Sequence, residues 1–410
     1  MQRMIPTTEL VLEQPKVLII GGDDVHARIE LMQGLSRDYN LAAAGTARAL
    51  SLPFARSGFP YFYYPLRRGV GPFSDVYAMV SLLRLLNQWR PQIVHAFDTK
   101  PGVYGCLAAR LARVPVVLST VTGLGSLYGE EGLRPQIVRG VYEQLQRMAS
   151  QHADRTIFQN RADREEFVGR RIVPADKAAL ILGSGVATER LHPEHVTAAR
   201  RRQVRASLGI SADALLVSMV SRVIRSKGVE EFIAAAQHVR QRRPGTQFLL
   251  VGPADRESVD RFSDRELTEF RRHIHWPGAR SDIPQILAAS DLFVLPSYLR
   301  EGIPRILLEA AAMGLPLITT ASPGCTDVVE DGINGCLVPP RDPVALARAI
   351  VHLVDQPQLR LHFGQASRQR AVERFDLGIV VQQTHKLYNH LLARKAPRMG
   401  CTVDRVSLAP

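Results

Sequence analysis

The run K-V-L-I-I-G-G at residues 16–22 constrains the fold more than any other stretch of this chain. Four apolar residues in a row, closed by two glycines, make a strand buried on both faces, and such strands belong to parallel sheets covered by helices. The pattern recurs in Q-I-V-H-A-F (92–97), P-V-V-L-S-T-V (115–121) and R-T-I-F-Q-N (155–160), with helical stretches at 26–38, 74–89, 103–112 and 135–151 between the strands. Turn residues and charge break it at 183–212, and it then restarts. L-L-V-S-M-V-S (215–221), Q-F-L-L-V-G (247–252), D-L-F-V-L-P (291–296) and L-P-L-I-T-T follow, with helices expected at 228–241, 257–272, 282–289, 304–313 and 343–354. Strand–helix alternation builds a doubly wound sheet. Two rounds of it predict an α/β protein of two Rossmann-like domains facing each other across a cleft. Ligands of such sheets sit outside the strand C-termini, so chemistry is expected in the loops that follow strands.

A length of 410 residues suits two cores. No stretch reaches the roughly 20 uninterrupted apolar residues of a membrane span, and the N-terminus lacks the apolar region of a signal peptide, so a cytoplasmic protein is expected. Cys106, Cys325, Cys336 and Cys401 show neither C-x-x-C spacing nor histidines at metal-ligand distance, and read as reduced thiols. Net charge is +13, which favours phosphorylated substrates or an acidic membrane surface. Without a basic tail or an aromatic-rich basic stripe, nucleic acid is not an expected partner. The run A-R-R-R-Q-V-R (199–205) reads as a solvated helix face. Helix 74–89, apolar over much of its circumference and flanked by Arg67, Arg68 and Arg90, reads either as a core helix or as one lying on the inner face of a membrane.

Two post-strand loops carry the chemistry. Arg222 and Lys227-Gly228 follow the 215–221 strand and place two cations at a helix start, a site for a diphosphate. After the 291–296 strand comes E-G-I-P-R-I-L-L-E (301–309). Pro304 is expected at the first helical position, with the amides of Arg305, Ile306 and Leu307 open to an anion. Carboxylates grip neutral hydroxyls and repel phosphate, so Glu301 and Glu309 fit the hydroxyl-rich ends of a ligand charged in its middle. A nucleotide-sugar is such a ligand.

The stretch 280–340, with Glu, seven residues, Glu, and then A-x-G-x-P, resembles the retaining glycosyltransferases of the GT-B fold, the large family-4 group. S-R-V-I-R-S-K-G and G-A-R-S-D-I-P are similar to that family's phosphate-binding and base-contacting loops, and the likeness runs from residue 16 to 392. V-H-A-F-D-T-K-P-G-V-Y-G and T-V-T-G-L-G-S-L-Y-G resemble bacterial enzymes that extend sugars on polyprenyl diphosphate. The resemblance implies an acceptor-side domain over 1–190, a donor domain over 191–375, a helix at 376–395 packing back on the first domain, and a disordered tail at 396–410. It implies metal-independent, cofactor-free transfer with retention, using a nucleotide-sugar, with uracil as the base. The acceptor would be a glycan or a lipid-linked sugar in surface polysaccharide assembly. Arg222, Lys227 and Glu301 would be catalytic, while Gly22, Arg280, Gly302, Ile303, Arg305, Ile306 and Glu309 would bind the donor. Asp24, His26, Lys100 and Thr122 would stand on the acceptor side. Two departures matter: Thr122 replaces a histidine common in the family, and Ala187 replaces an acid. The sequence has no D-x-D for a divalent ion on phosphate. A nucleotide-sugar 2-epimerase of the same architecture is the alternative. An oxidoreductase is disfavoured because G-x-G-x-x-G is missing after the first strand.

Overall fold

A computed structural model of the protein describes residues 14–67, 71–125, 128 and 133–399. The chain forms two units. One runs to Ser119 and takes in His152–Asp154 and the chain from His385 onward, and the other holds Thr120–Gln151 and Arg155–Thr384.

In the first unit, β1 (Lys16–Ile20), β2 (Asn40–Gly45), β3 (Tyr61–Tyr63), β4 (Ile93–Phe97) and the start of β5 (Val116–Val121) are ordered β3-β2-β1-β4-β5. β1 runs parallel to β2 and to β4. All of β4, and β1 after Lys16, are buried, which accounts for a sequence that is apolar apart from His95. β2, N-L-A-A-A-G, escapes the sequence reading because alanine is the best helix former. Its register against β1, Leu18 opposite Ala42, makes it a strand. The last helix, Leu377–Met399, brings Tyr388 into this unit, with its hydroxyl 2.8 Å from His95 Nδ1. Burial pushes His95 down to about 3, so its imidazole is neutral. Helix ends at Met399, and the remainder of the expected tail, 400–410, lies outside the described residues.

The second unit contains β6 (Gly123–Gly125), β7 (Arg155–Phe158), β8 (Ala178–Leu180), β9 (Leu215–Val220), β10 (Thr246–Val251), β11 (Leu292–Leu295), β12 (Arg300–Glu301), β13 (Leu317–Thr320) and β14 (Gly335–Val338). Its main sheet is parallel, ordered β10-β9-β11-β13-β14. Phe232, Phe248, Phe293 and Leu307 are fully buried in its core. Two expectations change here. Helix starts at Asp264 rather than 257, because Ser263 and Glu266 form a capping box. The basic run 199–205 is indeed on a helix, Ala198–Ser207, but it is not wholly solvated. Arg205 bonds the Ala289 carbonyl and pairs with Asp291 at 2.7 Å.

Candidate active site

The loops after β9 and β11 are tied together in the second unit. Arg225–Lys227 make one 3-10 turn, and Gly228 (φ +77°) turns the chain into the helix Val229–Arg242. A Cβ on Gly228 would stand 2.1 Å from the Pro296 carbonyl oxygen, so only glycine allows this approach. The Ser226 carbonyl accepts from the amides of Tyr298 (3.0 Å) and Leu299 (3.1 Å) and from the Ser297 hydroxyl (3.3 Å). Held this way, Lys227 Nζ lies 2.5 Å from Glu301 Oε1, which also accepts from the Ser297 hydroxyl at 3.1 Å.

Glu301 is fixed from its other side as well. β12 pairs antiparallel with β6, Glu301 opposite Gly123. The Gly302 amide donates to the Thr122 carbonyl at 2.8 Å, and Asn160 Nδ2 donates to the Gly302 carbonyl at 2.9 Å. Arg300 reaches Asp163 at 2.8 Å and Glu166 at 2.5 Å. Asp163 is buried, and burial, outweighing the Arg300 and Asn160 contacts, raises its carboxyl above the ordinary range. Sequence reading missed Asn160 and Asp163, although F-Q-N stands at a strand C-terminus, where polar residues are worth a search.

Both cations expected to meet a diphosphate, Arg222 and Lys227, have a carboxylate partner in this structure, and so do two further arginines expected on the donor side. Besides Lys227 with Glu301, Arg222 pairs with Asp255 at 2.6 Å, Arg280 with Asp282 at 2.7 Å and Arg305 with Glu309 at 2.9 Å. Glu301 and Glu309 thus touch cations rather than standing apart from them. Arg222 is 46% exposed, and pairs at such exposure contribute about 0–1 kcal/mol, so an anion can displace Asp255 at little cost, whereas Lys227 is buried and its exchange of Glu301 for an anion costs more. Pro304 also departs from expectation. It is the residue before the helix Arg305–Ala312, with extended ψ of 114°, and its carbonyl takes the Leu307 amide at 3.0 Å. That amide is therefore not open to an anion. The Ile303 side chain is buried in the core, and Ile306 packs against it.

Gly22, Asp24 and Lys100 come together in the first unit. They line a cavity of about 330 Å³ with Asp98, Arg67 and Thr46. His26 is exposed in the turn Val25–Arg28 and does not line the cavity, and Thr122 belongs to the second unit. Asp98, which sequence reading passed over, holds φ 70° and ψ 175°, a region nearly reserved for glycine. Its Oδ2 accepts from the Gly22 amide at 3.3 Å. Surrounding protein, and then the Asp98 carboxyl with which it shares a hydrogen bond, push Asp24 up to about 6. Lys100 Nζ donates to Asp75 Oδ1 (2.7 Å) and to the Arg67 carbonyl (2.9 Å).

Known proteins match both units. Residues 25–182 fit the model of a glycosyl transferase 4-like domain, and residues 214–356 that of glycosyl transferases group 1. The chain belongs to the group-1 glycosyltransferases. This glycosyltransferase is 28% identical over 326 residues to N,N'-diacetylbacillosaminyl-diphospho-undecaprenol alpha-1,3-N-acetylgalactosaminyltransferase of Campylobacter jejuni, covering 80% of this chain and 84% of that one. It is 29% identical over 337 residues to UDP-Gal:alpha-D-GlcNAc-diphosphoundecaprenol alpha-1,3-galactosyltransferase of Escherichia coli, covering 82% and 84%. Among solved structures, Anabaena HepE in complex with UDP superposes with a TM-score of 0.76 at 20% identity, over 92% of this chain and all of that one. The glycosyltransferase therefore has the GT-B fold. Among the described residues, no helix is long and apolar enough to cross a membrane.

Proposed function

We propose that this glycosyltransferase moves a hexose or N-acetylhexosamine, with retention and without a metal, from a UDP-sugar to a sugar carried on polyprenyl diphosphate. The observation that carries the reading is the Lys227–Glu301 pair at the ends of β9 and β11, with Arg222 on the same loop as Lys227. The names of the bacterial relatives, which act on diphosphoundecaprenol-linked sugars, support the acceptor class. The UDP in the HepE structure supports the donor.

In this mechanism the bond between the sugar C1 and the phosphate oxygen breaks. The acceptor hydroxyl oxygen joins C1 from the same face and gives its proton to the departing phosphate. Charge accumulates on the leaving diphosphate, where Arg222 and Lys227 stabilise it more in the transition state than in the ground state. Glu301, released from Lys227 as phosphate takes its place, accepts hydroxyls of the donor sugar, and Glu309 those of the ribose. Main-chain groups of Ile303 and Ile306 line the donor beside Gly302, whose own amide and carbonyl are held by Thr122 and Asn160, with Arg280 at the base. Asp24 and Lys100 face the acceptor, and the protein works at the inner face of the cell membrane.

The test is a reaction panel of UDP-sugars with a short-chain prenyl-diphosphate-linked sugar, with products read by mass spectrometry and the anomeric configuration by NMR. An α-linked product from an α-linked donor is expected. Release of a free epimer from UDP-sugar alone would assign the epimerase reaction instead.

A further inference from the structure

The helix Pro72–Trp89 presents an outward stripe that a water-facing surface does not require. Phe73, Val76, Tyr77 and Val80 stand one above another at helical spacing and are 92%, 64%, 60% and 36% exposed. The opposite face, through Ala78, Leu82 and Leu86, is buried in its own unit. Core packing therefore accounts for one side of the helix and leaves the other unexplained.

Charge around the stripe has one sign. Arg84 continues it a turn beyond Val80, and exposed Arg67 and Arg90 flank the helix in sequence. Asp75 is the helix's single carboxylate. It is buried, pairs with Lys100 and accepts from the Tyr104 hydroxyl at 3.0 Å. The outward face is thus apolar and aromatic with cations at both ends and no anion.

We propose that this face seats on an anionic lipid surface, with Phe73 and Tyr77 entering the headgroup layer and Arg84, Arg67 and Arg90 meeting lipid phosphates. Apolar burial and attraction to anionic lipid add in such helices. A second copy of the chain is a poorer occupant, because pairing this face with itself sets arginine against arginine in either orientation. The proposal deepens the lipid-linked acceptor reading and rests on it for its purpose. Lys100 bonds both the helix, through Asp75, and the Arg67 carbonyl at the rim of the Asp24 cavity. Docking the helix therefore brings that cavity close to the headgroup plane.

Vesicle flotation tests the surface apart from the reaction. Wild-type protein should float with vesicles of phosphatidylglycerol and phosphatidylcholine, much less with phosphatidylcholine alone, and less as salt rises. The variant Phe73→Ser/Tyr77→Ser should lose at least about tenfold in partitioning, and Arg84→Glu should weaken binding and flatten its salt dependence. The double variant should keep turnover on a water-soluble short-chain acceptor and lose it on a vesicle-embedded one. Three results would overturn the proposal: undiminished flotation of the double variant, equal flotation on both lipids, or loss of flotation only in Ile137→Ser/Val141→Ser on a different helix. A wild-type dimer made monomeric by Phe73→Ser/Tyr77→Ser, with vesicle binding intact, would assign the face to a second copy. Normal flotation without transfer to any lipid-linked sugar leaves the surface standing and removes the acceptor reading.

Discussion

Asp24 and Asp98 place two carboxyl groups in hydrogen-bond contact at the mouth of β1 and β4, and this arrangement leaves a mark on stability. Asp24 has its folded pKa raised from the ordinary 3.8 to about 6. The unfolded chain ionises first, so unfolding releases a proton between about pH 4 and 6, and wild-type stability falls as pH rises through that window. Asn at this position imitates the protonated acid. Asp24→Asn should therefore match wild type in Tm at pH 4, gain on it up to pH 6 and hold a constant advantage above; equal Tm values at pH 7.5 would refute a carboxyl raised by its surroundings and by Asp98. Buried thiols add no comparable feature: burial pushes Cys106 and Cys325 up to about 12 each, so neither ionises in this pH range.

Among the elements, the crossing of β12 over β6 decides where Glu301 points. A Cβ on Gly302 would stand 2.3 Å from the Thr122 carbonyl oxygen and 2.6 Å from Gln159 Oε1, while Gly123 at φ +137° leaves no room opposite. Gly302→Ala should cost about 1–3 kcal/mol in chemical denaturation and lower turnover by displacing Glu301, whereas Gly125→Ala, with open space around it, should affect packing little despite its positive φ. This crossing shows where sequence legibility ends. The strands β1, β4, β9, β10, β11 and β13 were readable because burial on both faces writes a predominantly apolar run, even where His95, Ser218 or Thr319 interrupts it. β12, in R-E, and β6, in G-L-G, carry no periodicity, and the contact between them depends on residues far apart in sequence. The Glu301 and Lys227 side chains were legible as site candidates from loop position. Their mutual pairing was not, since it follows from Gly228 closing on Pro296. Asp98 was missed although it directly follows β4, because neighbouring Lys100 drew the reading toward a cation.

For the whole molecule, the excess of positive charge does not translate into bare cations at the proposed donor site. Arg222, Lys227, Arg280 and Arg305 all carry carboxylate partners, so on the proposed reading a diphosphate would bind there by exchange. The net gain is the difference between two ion pairs rather than a whole one, and salt should weaken it only modestly where the pairs are shielded. The most direct measurement of this exchange is calorimetric titration of UDP into wild-type protein and into Lys227→Ala and Glu309→Ala. Losing Lys227, net of its pair with Glu301, should raise Kd about three- to tenfold, and losing the Glu309 bonds to ribose hydroxyls about tenfold. Affinities unchanged within about twofold in both variants, at a level where one such contact is resolvable, would place the nucleotide elsewhere and contradict the donor site built from these loops.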